Sequence, residues 1–283
     1  MITEFLATWP LFHHAYLAGW LLAALLAMIG VLVVARDQIF IGAAVSQASI
    51  LGIAIALELG DRFAGVGFAW LRNDHALSLL AVVASGAAAL VTTRGGEGAR
   101  VSHEALTGWV YLLAASGAIL VVAHSPHGLE EVDRLLHSTI IGATAADVWT
   151  FAGLALATAA AIALTHRRLL LVAMDPPMAA ALGVDVGRWS AGISLWLGLA
   201  VGLSIRCAGV LFTFGCLVLP PLVARNLCRE VRPMLVVAPV VGVATAAVGF
   251  VFAHHWDYPP AQMTVGILCV LLAATARWPR RGA

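Results

Sequence analysis

Residues 15–35 read AYLAGWLLAALLAMIGVLVVA, twenty-one positions without an Asp, Glu, Arg or His. A helix needs about 20 mostly apolar residues to cross the hydrocarbon core of a bilayer, and this run reaches that length. Eight more runs of the same kind follow it: Gln38–Leu57, Ala76–Thr93, Ala105–Ala123, Val148–Thr165, Trp189–Ile205, Cys207–Ala224, Met234–Ala253 and Pro259–Ala276. Only helices suit them, because lipid offers no partner to an unpaired backbone N–H or C=O. The composition agrees. Of 283 residues, 61% are hydrophobic and 11% charged, against about 25% charged in a soluble domain. The reading is an all-α, polytopic membrane helical bundle, one domain over residues 1–283, with eight or nine transmembrane helices. The count turns on Arg206–Gly209, which reads either as a tight turn between two spans or as a break in one helix.

A formal net charge of +1 lacks the basic footprint of a nucleic-acid binder. Cys207, Cys216, Cys228 and Cys269 have no CxxC spacing, so they read as small packing residues rather than a disulfide frame or zinc knuckle. The N-terminus has no positive region of a cleaved signal peptide, so the first apolar run is expected to stay as an anchor. Gly198 and Gly202, and Ala48 and Gly52, are small-residue pairs four apart. They predict tight packing between neighbouring helices of the bundle. The nine runs hold no Asp, Glu, Arg or His. That argues against an intramembrane metalloenzyme, and against a secondary transporter coupled through a buried acid.

Arginine placement gives the sidedness. With the N-terminus outside and nine spans, the inner loops carry Arg36, Arg94, Arg100, Arg167, Arg168, Arg188, Arg225, Arg229, Arg232, Arg277, Arg280 and Arg281. The outer side carries only Arg62, Arg72, Arg134 and Arg206. On the inner side lies MDPPMAAALGV, residues 174–184. Asp175 is a good N-cap, Pro176 suits the first helical position and Gly183 suits the C-terminal cap. The helix between them is too short to stand alone in water, so its apolar residues ask for a surface to lie on. The sequence has no lysine and no GxxxxGK[ST] phosphate loop, so this stretch of chain does not bind ATP by that motif.

These features resemble the permease subunits of zinc/manganese/iron-type ABC importers. In that family a DPxxAxxxG segment forms the coupling helix, here Asp175, Pro176, Met178, Ala179, Ala180, Leu182 and Gly183. AGVLFTFGCLVLPPLVAR at 208–225, Glu104 to Trp109, and Leu136 to Gly142 match further family segments in order and spacing. The resemblance implies a type II importer permease with a second permease subunit as homodimer or heterodimer. It also implies a separate ATPase carrying ATP, an extracytoplasmic metal-binding protein and a multi-pass place in the bacterial inner membrane, among lipid. The cargo would be a divalent metal ion with no tightly bound cofactor, or alternatively a metal chelate or corrinoid.

The stretch RDQIFIGAAVSQASILG, residues 36–52, departs from the family at two places. Ala43 stands where the family has an aspartate and Gln47 where it has a histidine. With Ser46 they are the residues the resemblance places along the translocation path. Losing the carboxylate removes a strong ligand for hard cations, and Gln47 retains a carbonyl oxygen. On the outer side, HSPHGLEEVDRLLH at 124–137 gathers His124, His127, Glu130, Asp133 and His137. If the part after Gly128 is helical, Glu130, Asp133 and His137 share a face. These residues read as a contact for metal or, better given their spacing, for the binding protein. His254, His255 and Asp257 form a second outer group.

The sidedness is checked by reporter fusions. Fusions after Arg100, Arg168 and Arg232 are expected to report cytoplasm, and fusions near Glu130 and His255 the outside. Reversed signs at two of these positions refute the orientation.

Overall fold

The computed structural model describes residues 2–62, 73–95, 101–123 and 140–277. Among them are nine α-helices, one 3₁₀ turn at Ile140–Gly142 and no strand. The helices are α1 Ile2–Ala35, α2 Ile41–Arg62, α3 Asp74–Thr92, α4 His103–Val122, α5 Ala145–Met174, α6 Pro176–Ala181, α7 Val186–Leu227, α8 Val231–Trp256 and α9 Pro260–Ala276. All nine apolar runs of the sequence fall on helices. Seven of these helices are long and apolar enough to cross a membrane, and α9 is a shorter apolar helix of 17 residues.

The apolar runs on either side of Arg206 form two helical limbs of α7, joined across a kink at Gly209. The 42 residues of α7 would measure about 63 Å at 1.5 Å per residue, roughly two bilayer cores end to end. Gly209 interrupts them with φ 74° and ψ 172°, a conformation essentially reserved for glycine. Pro220 and Pro221, by contrast, sit inside the second limb without leaving helical geometry. Two helices also run past the ends of their apolar runs. α5 continues beyond His166, Arg167 and Arg168 because Leu169, Leu170, Val172 and Ala173 are buried there, while both arginines point outward. α1 begins well before Ala15, and Trp9, Phe12 and Tyr16 stack along its extension.

The chain forms two compact units. The first comprises residues 1–37, 139–184 and 207–283, and the second residues 38–138 and 185–206. In the first unit α1 is the central element, buried almost continuously from Leu22 to Val34, with α5 and α8 packed on it. Its closest approach is to the second limb of α7. A Cβ on Gly30 would lie 1.8 Å from the carbonyl oxygen of Leu217 and 2.8 Å from the Pro221 ring. The reason lies in the sequence of α7. Pro221 has no N–H, so it leaves the Leu217 carbonyl, four residues back, without its helical donor. The Gly30 Cα–H faces that oxygen, a weak hydrogen bond of the kind seen where helices touch. Gly242 against Ala23 and Gly249 against Thr264 repeat the close contact on α8.

In the second unit α2 is central and packs on α3 and α4. Gly52 lies over the Leu80 carbonyl, and Ala48 sits in a cluster with Ala44, Ala88, Val110 and Ala114. Gly198 and Gly202 press the first limb of α7 onto Gly86 and Val82 of α3, where Ser85 Oγ donates to the Gly198 carbonyl at 2.7 Å. Both small-residue pairs of the sequence thus serve packing within the chain. Large apolar side chains such as Trp149, Leu156, Leu164 and Leu120 point outward, as lipid-facing surfaces do.

Glycine at position 30 is therefore a steric requirement. Gly30→Ala is expected to cost about 1–3 kcal/mol as overpacking against backbone. Gly153→Ala, where a Cβ meets nothing within 4 Å, is expected to be neutral or stabilising by up to about 1 kcal/mol through helix propensity. Thermal unfolding of both variants in one detergent checks the contrast.

Candidate functional site

The short helix α6 is built by its ends. Asp175 closes α5, its N–H donating to the Leu171 carbonyl at 2.9 Å, and it also opens α6. Its Oδ1 accepts the Met178 N–H at 3.0 Å, and its carbonyl accepts that of Ala179 at 3.0 Å. Pro176 occupies the first helical position, where a missing N–H costs nothing. At the other end Gly183 has φ 76°. The Gly183 N–H reaches the Ala180 carbonyl and the Val184 N–H the Ala179 carbonyl, each at 3.0 Å. This pair of bonds is a complete Schellman motif around a left-handed glycine. Asp185 then caps α7, accepting the Arg188 N–H at 3.0 Å and pairing with its guanidinium at 3.1 Å. Asp175 thus serves both helices, and no further residue stands between α5 and α6.

Only Ala179 of this helix is buried. Met174, Met178 and Leu182 are more than half exposed, and Ala180 and Ala181 are open as well. A rigid, uncharged rod of this kind fits a groove on another protein better than it fits bulk water.

On α2, Ala43 and Gln47 are half-buried and lie one turn apart on the less covered edge of the helix. That edge continues through Leu51, Ile55 and Leu59 to Arg62, which pairs with Glu58 at 3.5 Å. Ser46 points elsewhere. It is fully buried, and among the described residues its hydroxyl has no hydrogen-bond partner. His124, His127, Glu130, Asp133 and His137 lie outside the described residues. His254 bonds Thr8 Oγ1 at 3.2 Å and packs on Phe12, while Asp257 takes a left-handed turn with φ 56°. The His13 and His14 rings lie side by side, tilted at 38° with centroids 3.9 Å apart. Among the described residues no three His, Cys, Asp or Glu side chains converge as a metal site.

Two ion pairs escape sequence reasoning because their members are far apart in the chain. Asp37 meets Arg225 at 3.8 Å, and Asp74 meets Arg206 at 2.9 Å. Beside Asp37, burial pushes the Arg36 guanidinium below its ordinary pKa. The only sequence signal for either pair is an arginine standing at the edge of an apolar run.

The structure is thus a many-pass helical bundle that presents a capped, apolar turn between two of its helices. The chain belongs to the ABC 3 transport family, whose model matches residues 8–277. It is 27% identical over 271 residues to the manganese transport system membrane protein MntC of Halalkalibacterium halodurans, covering 94% of this chain and 86% of that one. It is 24% identical over 250 residues to the chelated iron transport system membrane protein YfeD of Yersinia pestis, covering 88% and 79%. In three dimensions it resembles PsaBC from Streptococcus pneumoniae, solved in complex with Fab. The TM-score is 0.81 at 17% identity, over 99% of this chain and 97% of that one.

The caps carry a local prediction. Asp175→Ala and Gly183→Ala are each expected to weaken α6 by about 1 kcal/mol. Amide hydrogen exchange over residues 176–184 is then expected to accelerate about fivefold in each variant. Exchange in α1 and α8 is expected to stay unchanged.

Proposed function

We propose that this chain is the permease subunit of an importer that moves a divalent metal ion, zinc, manganese or iron, across the bacterial cytoplasmic membrane. Energy comes from ATP hydrolysed on a separate subunit docked against Asp175–Gly183. The observation that carries this reading is the doubly capped α6 with its uncovered Met178 and Leu182, set within a family match that runs from residue 8 to residue 277. The names of the relatives, manganese transport and chelated iron transport, support a metal cargo. The arginine-rich side, which includes this turn, faces the cytoplasm, where ATP is available. The N-terminus lies outside and the C-terminus inside.

The chain performs no bond chemistry in this scheme. ATPase closure pushes on α6, and α6 passes the displacement into α5 because their shared cap at Asp175 leaves no flexible joint. Cargo arrives from an extracytoplasmic binding protein and passes the Ala43–Gln47 edge of α2, completed by a second permease subunit. Gln47 offers an amide oxygen there, a neutral ligand that holds a cation briefly rather than tightly.

Ala180→Arg tests the docking. Ala180 is exposed on α6, so the substitution leaves the fold intact while placing a charge in an apolar groove. The ATPase is expected to be lost from the purified complex, and uptake of manganese, zinc and ferrous iron by cells to fall at least tenfold at equal membrane abundance. A bound and fully stimulated ATPase in this variant refutes the docking role. Uptake of iron only as a chelate would move the cargo class from the bare ion to its complex.

A further inference from the structure

Arg206 is the last residue of the second unit's share of α7 and stands three residues before the Gly209 break. Its guanidinium reaches across to the first turn of α3. One nitrogen meets Asp74 Oδ1 at 2.9 Å, and the other donates to Ser78 Oγ at 2.6 Å and to the Asp74 backbone carbonyl. Ser78 Oγ in turn donates to that same carbonyl at 2.9 Å. The planar fork thus engages three oxygens in fixed directions, which a lysine ammonium cannot imitate. The arginine side chain is 31% exposed and the aspartate 77%. At that exposure the charge attraction by itself contributes little, and the geometric restraint is what the arrangement supplies.

The same two elements are fastened further along. Gly202 lies on Val82 and Ser85, Gly198 lies on Gly86, and Ser85 bonds the Gly198 carbonyl. From Arg206 back to Gly198, contact with α3 is renewed on every turn, through the guanidinium at 206 and by close backbone approach at 202 and 198. Three residues beyond Arg206 the helix is interrupted at a backbone conformation only glycine adopts readily.

We infer that Arg206 clasps residues 186–206 to α3 as one stiff blade ending at the Gly209 break, and that it thereby acts as a positioning residue for transport. The clasp keeps deformation out of the blade. The transport half of this inference rests on the importer reading above, while the clasp itself does not.

The test uses the full chain in lipid nanodiscs. Its four cysteines are replaced by serine, and spin labels are placed at Leu79→Cys on α3 and Leu195→Cys on the blade, both exposed positions. The unclasped variants are Arg206→Gln and Asp74→Asn, with Arg206→Lys as the conservative control. The distance distribution is expected to be single and narrow in the clasped protein and at least twice as wide in Arg206→Gln. Arg206→Lys is expected to be intermediate, and Arg206→Gln combined with Asp74→Asn no wider than Arg206→Gln. In cells, uptake of whichever of manganese, zinc or ferrous iron the unmodified chain carries is expected to fall three- to tenfold in Arg206→Gln at equal membrane abundance. An unchanged width in Arg206→Gln overturns the clasp. A doubled width with unchanged uptake overturns the positioning role. Failure of the importer reading looks different: the unmodified chain and its variants alike carry none of the three ions, and the width comparison still decides the clasp.

Discussion

Helices in lipid gain nothing from hiding apolar surface from one another, so their association rests on close packing and on polar contacts between backbones. In this chain the decisive contact is the Gly30 backbone against the Leu217 carbonyl. Pro221 withdraws a donor from α7, the exposed oxygen needs a partner, and only a residue without a side chain can bring its Cα–H there. The central helix of the first unit is thereby registered against α7, and α5 and α8 pack onto a helix whose position is already fixed. The same logic recurs in the second unit, where Gly52, Gly198 and Gly202 each bring one backbone onto another.

Such contacts make stiff bodies. Packed helices transmit displacement with little loss because their interiors have low compressibility. Gly209 is a backbone break inside an apolar helix, and Gly183 ends the short α6. Both are glycines with positive φ, and both sit where one packed segment hands over to another.

Much of this was legible in the sequence. The apolar runs located every long helix, because bilayer thickness imposes a length that composition alone reveals. The ends of α6 were legible too, since Asp175, Pro176 and Gly183 act through bonds to residues at most four positions away. What escaped was long-range or directional. Nothing near Arg206 in the chain announces Asp74, 132 residues earlier, and nothing near Gly30 announces Pro221. The outward side of α2 could be guessed for Ala43 and Gln47 from their i, i+4 spacing, but the inward turn of Ser46 depends on neighbours that only the fold assembles. The helical extension of α5 past three basic residues was hidden because charge reads as a span end, whereas a helix can carry exposed arginines on one side and a buried leucine face on the other.

Asp175 has a further consequence. One residue serves as the last capping position of α5 and the first of α6, so the two helices are joined in series with no spare link between them. In mechanical terms the joint has almost no compliance. A linker of even a few unstructured residues would behave as an entropic spring, absorbing a displacement of several ångströms by straightening before any load reached the membrane. Here the joint has no such element, and a displacement of α6 would reach the base of α5 undiminished. A chain built this way trades tolerance of misalignment between the two helices for full transmission of a small movement.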